Sequence, residues 1–160
     1  MANFTAGQKL RASELNDFLP IMARATADTS KTSNTTLGNV TGLAVAVAAS
    51  TAYALDGYLA YTGNSTGDIK FAWTIPTGLT GHWGISSDDT TTPGDLKTSI
   101  ATAYTTVITA GGGSLNATVK GYVLTDTTAG TLQLQFAQNT SNGTATVVKT
   151  GSWIRLTKLT

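Results

Sequence analysis

The chain has 160 residues, enough for one domain with its own core, and it contains no cysteine and a single histidine, His82. That excludes a disulfide frame, a thiolate nucleophile, a cysteine zinc site and a conventional His-based triad or metal centre. Charged residues make up 12%, about half the usual share, and the net charge is +1 with no run of Lys or Arg. No long-range field gathers nucleic acid, and the surface must be covered largely by Thr, Ser, Asn and Gly.

Residues 1–34 read as a polar attachment arm. The opening MANFTAGQKL lacks an apolar core of signal-peptide length, so the expectation is synthesis in the cytoplasm without a cleaved leader. Ser13 is a candidate N-cap for a short helix near 13–19, with Glu14 and Asp17 suited to the macrodipole at its start. Pro20 disfavours helical geometry at Leu19 and ends it. About two turns are too short to stand alone. Phe4, Leu10, Leu15, Phe18 and Leu19 are therefore expected to bury themselves against a partner. Residues 22–34 are polar and read as an extended linker.

From Thr35 the hydrophobic period becomes two, and residues 35–160 read as a β-sandwich domain. Along 51–61, Tyr53, Leu55, Gly57, Leu59 and Tyr61 share a face; along 68–75, Ile69, Phe71, Trp73 and Ile75 do. GNSTG at 63–67 joins the two as a turn or hairpin loop. Further strands are expected at 36–41, 43–48, 80–86, 117–125, 130–137, 144–149 and 152–159, with Leu132, Leu134 and Phe136 inward on one of them. Asn142-Gly143 is a tight-hairpin signal joining the strand of the 130s to 144–149. Residues 100–109 suit a strand or a short helix equally. Short strands with frequent turn signals, unequal lengths and some long connections predict an antiparallel jelly-roll-like sandwich behind the arm. No stretch is apolar and long enough for a membrane helix, since 43–49 falls well short.

The candidate sites are few. TGHWGIS (80–86) makes His82 and Trp83 a candidate ligand-contact tip, against a plainer reading in which Trp83 lies in the core and His82 outside. Asp88, Asp89, the following threonines and Asp95 could gather oxygens for calcium, but EF-hand spacing is missing and a solvated loop is the expectation. Asp56 is expected to pair with Lys70 or Arg155 across a sheet. Glu14 is the only glutamate and lies in the arm, so the paired carboxylates of glycoside hydrolysis have no evident source. Gly111-Gly112-Gly113 lacks the Lys-Ser/Thr of a phosphate loop. Tyr58 and Tyr122 fall opposite the apolar face of their strands, which makes them candidates for a subunit interface. No enzyme activity and no cofactor are expected.

FTAGQKLRASELND, residues 4–17, resembles the N-terminal motif of small virion structural proteins of tailed bacteriophages that infect actinobacteria. Phe4, Thr5, Ala6, Gly7, Gln8, Leu10, Ala12, Leu15 and Asn16 carry the match. GDIKFAWTIPTGLTGHW (67–83), AGTLQLQFAQNTS (129–141) and GSWIRLTKL (151–159) look like β-domains of that group. The resemblance implies a structural component of the particle, homotrimeric with jelly-roll-like heads, held by its arm to a major capsid or tail protein. The absence of a long shaft or collagen-like repeat favours capsid decoration. The minor-tail labels common in the group favour the alternative, a tail-tip or fibre protein, and a host-surface glycan is a candidate ligand.

Overall fold

The computed structural model describes residues 7, 9, 11, 19–87, 95–97, 99–101, 104–108 and 113–159. The helix expected near 13–19, and Phe4, Leu10, Leu15 and Phe18 with it, lie outside the described residues, as do Asp88, Asp89 and the threonines after them. Among the described residues the secondary structure is all β: two antiparallel sheets packed as a sandwich.

The strands run β1 (Ile21–Arg24), β2 (Thr29–Lys31), β3 (Gly38–Val47), β4 (Ala52–Thr62), β5 (Ile69–Thr74), β6 (Thr80–Ser87), β7 (Asp95–Lys97), β8 (Tyr104–Ile108), β9 (Leu115–Leu124), β10 (Gly130–Gln138), β11 (Thr146–Val148) and β12 (Trp153–Leu159). The small sheet has the order β3-β10-β5-β8. The large sheet runs β1-β12-β4-β9-β6-β7, with β11 pairing both β2 and β4. From β3 to β12 the chain alternates between the sheets, crossing at nearly every loop.

The period-two pattern explains the core. Tyr53, Leu55, Leu59 and Tyr61 of β4, Val119 and Val123 of β9, and Ile154 and Leu156 of β12 point inward from the large sheet. They meet Ile69, Phe71 and Trp73 of β5 and Leu132, Leu134 and Phe136 of β10. Tyr61 packs edge-on against Phe71 with centroids 6.3 Å apart. Burying one such side chain contributes roughly 1.5–3 kcal/mol.

Three expectations change. Residues 21–31, read as arm and linker, pair in the large sheet: β1 with β12 and β2 with β11. They carry no alternating signal, because Ile21, Met22 and Arg24 of β1 are all exposed and β2 is three polar residues at the rim. Next, 36–41 and 43–48 form one strand, interrupted by a bulge. Gln133 pairs with Ala44 and Gln135 with Asn39, so the intervening residues of β3 loop out. Gly42 turns that bulge at φ +82°, and a Cβ there would lie 2.7 Å from the Arg24 carbonyl. The Gln133 amide donates to the Val40 and Leu43 carbonyls and so satisfies the bulge.

The third correction concerns Asn142-Gly143. Strands β10 and β11 belong to different sheets, so this is a crossing loop and not a hairpin. A buried side chain supplies its order. Gln138, fully buried, accepts from the amides of Asn34 and Asn142 and donates to the carbonyls of Asn142 and Thr144. Four hydrogen bonds from one amide outweigh the local turn preference. GNSTG likewise turns between sheets, with the Asn64 carbonyl accepting from the amides of Gly67 and Asp68. The open choice at 100–109 resolves to the strand β8.

Candidate functional site

Strand pairing places the outward side chains of the large sheet in rows. Residues directly opposite one another in an antiparallel pair share a face. One row runs Arg24, Trp153, Tyr58, Thr118, Ser86. The next runs Met22, Arg155, Asp56, Lys120, Gly84. A third runs Thr157, Ala54, Tyr122, His82, and a fourth Leu159, Ala52, Leu124, Thr80.

Among the described residues this outer face carries most of the exposed large apolar side chains: Met22, Tyr58, Tyr122, Leu124 and Leu159, with Tyr58 37% and Tyr122 40% exposed. Tyr58 and Tyr122, singled out as interface candidates from the sequence, therefore do sit together on one open face. His82 joins them, exposed and directly opposite Tyr122. Trp83 does not. It is fully buried, so it offers no stacking surface and its ligand-contact assignment is corrected. Gly121 lies opposite it, and a Cβ there would come within 2.6 Å of the His82 carbonyl oxygen and 3.1 Å of the Trp83 Cβ, so glycine lets β9 lie close to β6 at Trp83. Nothing in a lone His-Trp dipeptide reveals which residue points inward, but the alternation with buried Ile85 does.

At the centre of the face, the Asp56 carboxylate accepts from Lys120 on one oxygen and from Arg155 Nη2 on the other, the latter at 3.0 Å. The Arg155 partner was expected from the sequence. Lys120 was not, because β9 register is invisible without the turn geometry, and Lys70 lies on the other sheet. The Lys120 hydrogen bond, and the Arg155 guanidinium with it, hold the Asp56 carboxyl below the ordinary carboxylate range against partial burial. The Arg155 guanidinium also lies 5.7 Å from the Trp153 ring centroid, within cation–π range. Small outward residues, Ala52, Ala54, Ala60 and Gly84, lie around these groups.

A second feature lies where the chain enters the sandwich. Leu19, 58% exposed, stands at a pocket of about 370 Å³ with Ile21, Val47, Ala48, Tyr53 and Lys158. Leu19 is the one described member of the five arm residues expected to contact a partner. Among the described residues no group of His, Cys, Asp or Glu is arranged to hold a metal ion.

No known protein family and no curated protein matches this chain. Among solved structures it is similar to the tripod (BppUct-A-L) from the baseplate of bacteriophage Tuc2009. The likeness has 10% identity and a TM-score of 0.37, and covers 99% of this chain and 74% of the other. At that score it carries no argument.

Proposed function

We propose that this protein is a non-catalytic structural component of a tailed-phage virion, joined to the particle through residues 1–20 and presenting its β-sandwich outward. The observation that carries the reading is the connection between the motif-bearing segment and edge strand β1. The segment that resembles the N-terminal motif of small virion proteins is followed in the chain by β1 at the rim of the large sheet, and that sheet's outer face is left open. The alternation of strands supports a jelly roll. Taken as continuous strands, β1/β2, β12/β11, β4 and β9 form one four-strand sheet and β3, β10, β5 and β8 the other, with β6 and β7 added beyond β9.

Of the two placements, we favour the tail over capsid decoration. The minor-tail labels of the proteins the N-terminal motif resembles support it, as does an open aromatic and cationic face suited to contact with a host surface. Trimerisation would multiply such contacts. Immunogold labelling of intact particles with an antibody to residues 35–160 tests placement: gold at the tail tip is expected, and gold over the whole head means capsid decoration. Deleting residues 1–20 tests attachment. The truncated chain should fold, by circular dichroism, and fail to copurify with particles; copurification would remove the arm as anchor.

A further inference from the structure

We propose that the outer face of the large sheet binds a carboxylate-bearing glycan chain. Three observations converge on it. The first is the spacing of the aromatics. Trp153 stands beside Tyr58 in one row and His82 beside Tyr122 in another, and Tyr122 lies four residues along β9 from the partner of Tyr58. At the rise of an extended strand the two rows are roughly 14 Å apart, the reach of a short oligosaccharide and not of one sugar. Exposed Tyr rings offer an apolar face for the C–H side of a sugar and a hydroxyl for its polar edge.

The second is charge. On the described strands of this face Arg24, Lys120 and Arg155 stand against the single carboxylate of Asp56. Lys120 is 75% exposed, so its remaining donors face outward. The face already seats one carboxylate between Lys120 and Arg155, and charge-assisted hydrogen bonds of this type are the strong ones. Packing two copies through this face would set their surplus cations against each other. An anionic ligand removes that surplus.

The third is placement. The row between the two aromatic rows holds Arg155, Asp56, Lys120 and Gly84, so an extended polymer laid along the strands from one aromatic row to the other crosses the charged cluster. Single-stranded nucleic acid asks for a charged groove that tracks its backbone, whereas the cations here sit in one cluster on an open sheet face. The opposite face of the sandwich differs. Its described outward side chains include Asn39, Ala44, Ala46, Thr131, Gln133, Gln135, Lys70 and Thr74, none of them aromatic, and Gln135 is bonded to Asn39.

The test is calorimetric titration of the full purified chain with oligogalacturonate. Neutral cello-oligosaccharide of equal length, poly(glycerol phosphate), inorganic polyphosphate and oligo(dT) are the comparisons. Oligogalacturonate should bind at least tenfold more tightly than any of these. The Tyr58→Ala/Tyr122→Ala double variant and Lys120→Gln should each weaken it at least tenfold, with an unchanged Tm for the double variant. Equal binding of the neutral sugar overturns the role of charge; equal binding of polyphosphate or oligo(dT) overturns the role of the rings. Tighter binding of poly(glycerol phosphate) overturns the choice of carboxylate. No binding, or a change of sedimentation state in the Tyr variants, overturns the proposal in favour of a subunit contact. The test uses free protein, so its failure leaves the attachment reading standing.

Discussion

Trp73 of the small sheet and Trp83 of the large sheet meet edge to face across the interior, with centroids 5.9 Å apart and planes at 84°. The contact joins the two layers near the end of the sandwich where β6 extends the large sheet. Trp83→Ala removes the ring and leaves a cavity. The expected loss is about 3–5 kcal/mol, read as a lower urea midpoint with little change in slope. Gly121→Val perturbs the same contact from β9, because its Cβ would lie 2.6 Å from the His82 carbonyl oxygen and 3.1 Å from the Trp83 Cβ, so the backbone that carries Trp83 must shift. It should also destabilise, and shift Trp fluorescence.

Gln138 is the second internal fastener. Gln138→Leu keeps the volume and leaves the amides of Asn34 and Asn142 and the carbonyls of Asn142 and Thr144 without their partner. An unsatisfied buried group costs about 1–3 kcal/mol. Chemical denaturation should show a loss in or above that range, and hydrogen exchange should speed up at Asn34 and Asn142 first.

Asp56 links stability to pH. Its pKa is lowered in the folded chain, so the Asp56 contribution is complete above the ordinary carboxylate value, about 3.9, and fades as pH falls through the lowered one. Asp56→Asn should therefore narrow its stability deficit relative to the parent as pH drops below that value. A deficit that stays constant from pH 7 to the acid limit would show that the Lys120 and Arg155 contacts contribute nothing measurable.

How far the sequence reveals this arrangement varies with the element. The strands with clean alternation, such as β4, β5 and β10, are legible because one of their faces is core and the other is not. Strands β1 and β2 are not, since Ile21, Met22 and Arg24 are exposed and carry no alternating signal. Asn142-Gly143 misleads for a different reason: a dipeptide reports local turn preference, and the Gln138 side chain that overrides it lies on β10. The outward placement of Tyr58 and Tyr122 is legible from parity alone. The central cluster is only half so, because placing Lys120 beside Asp56 requires the β4–β9 register.

Asp28 holds an exposed junction. One oxygen accepts from the Thr150 amide at 2.8 Å and the other from Lys149 at 3.0 Å. The backbone hydrogen bond from Thr150, followed by the Lys149 contact, keeps this carboxyl below its ordinary range. Asp28→Ala should abolish hydrogen-exchange protection of the Thr150 amide. Asp28→Asn, which retains an accepting oxygen, should preserve most of it. Equal loss in both variants would mean that charge, and not the hydrogen bond, holds the junction.

That junction divides the rim of the large sheet into two short lengths, β1 against β12 and β2 against β11, with Ala25 and residues 149–152 stitched between them. A pull on the chain at Leu19 acts at the end of β1, where backbone bonds to β12 open one after another. The tear then reaches Ala25 and Asp28, which are held by further bonds to Gly151, Thr150 and Lys149. The rim is thus a tether with a stop knot: a few residues of slack can be drawn out under load before the tension meets Ala25, which is anchored in the core.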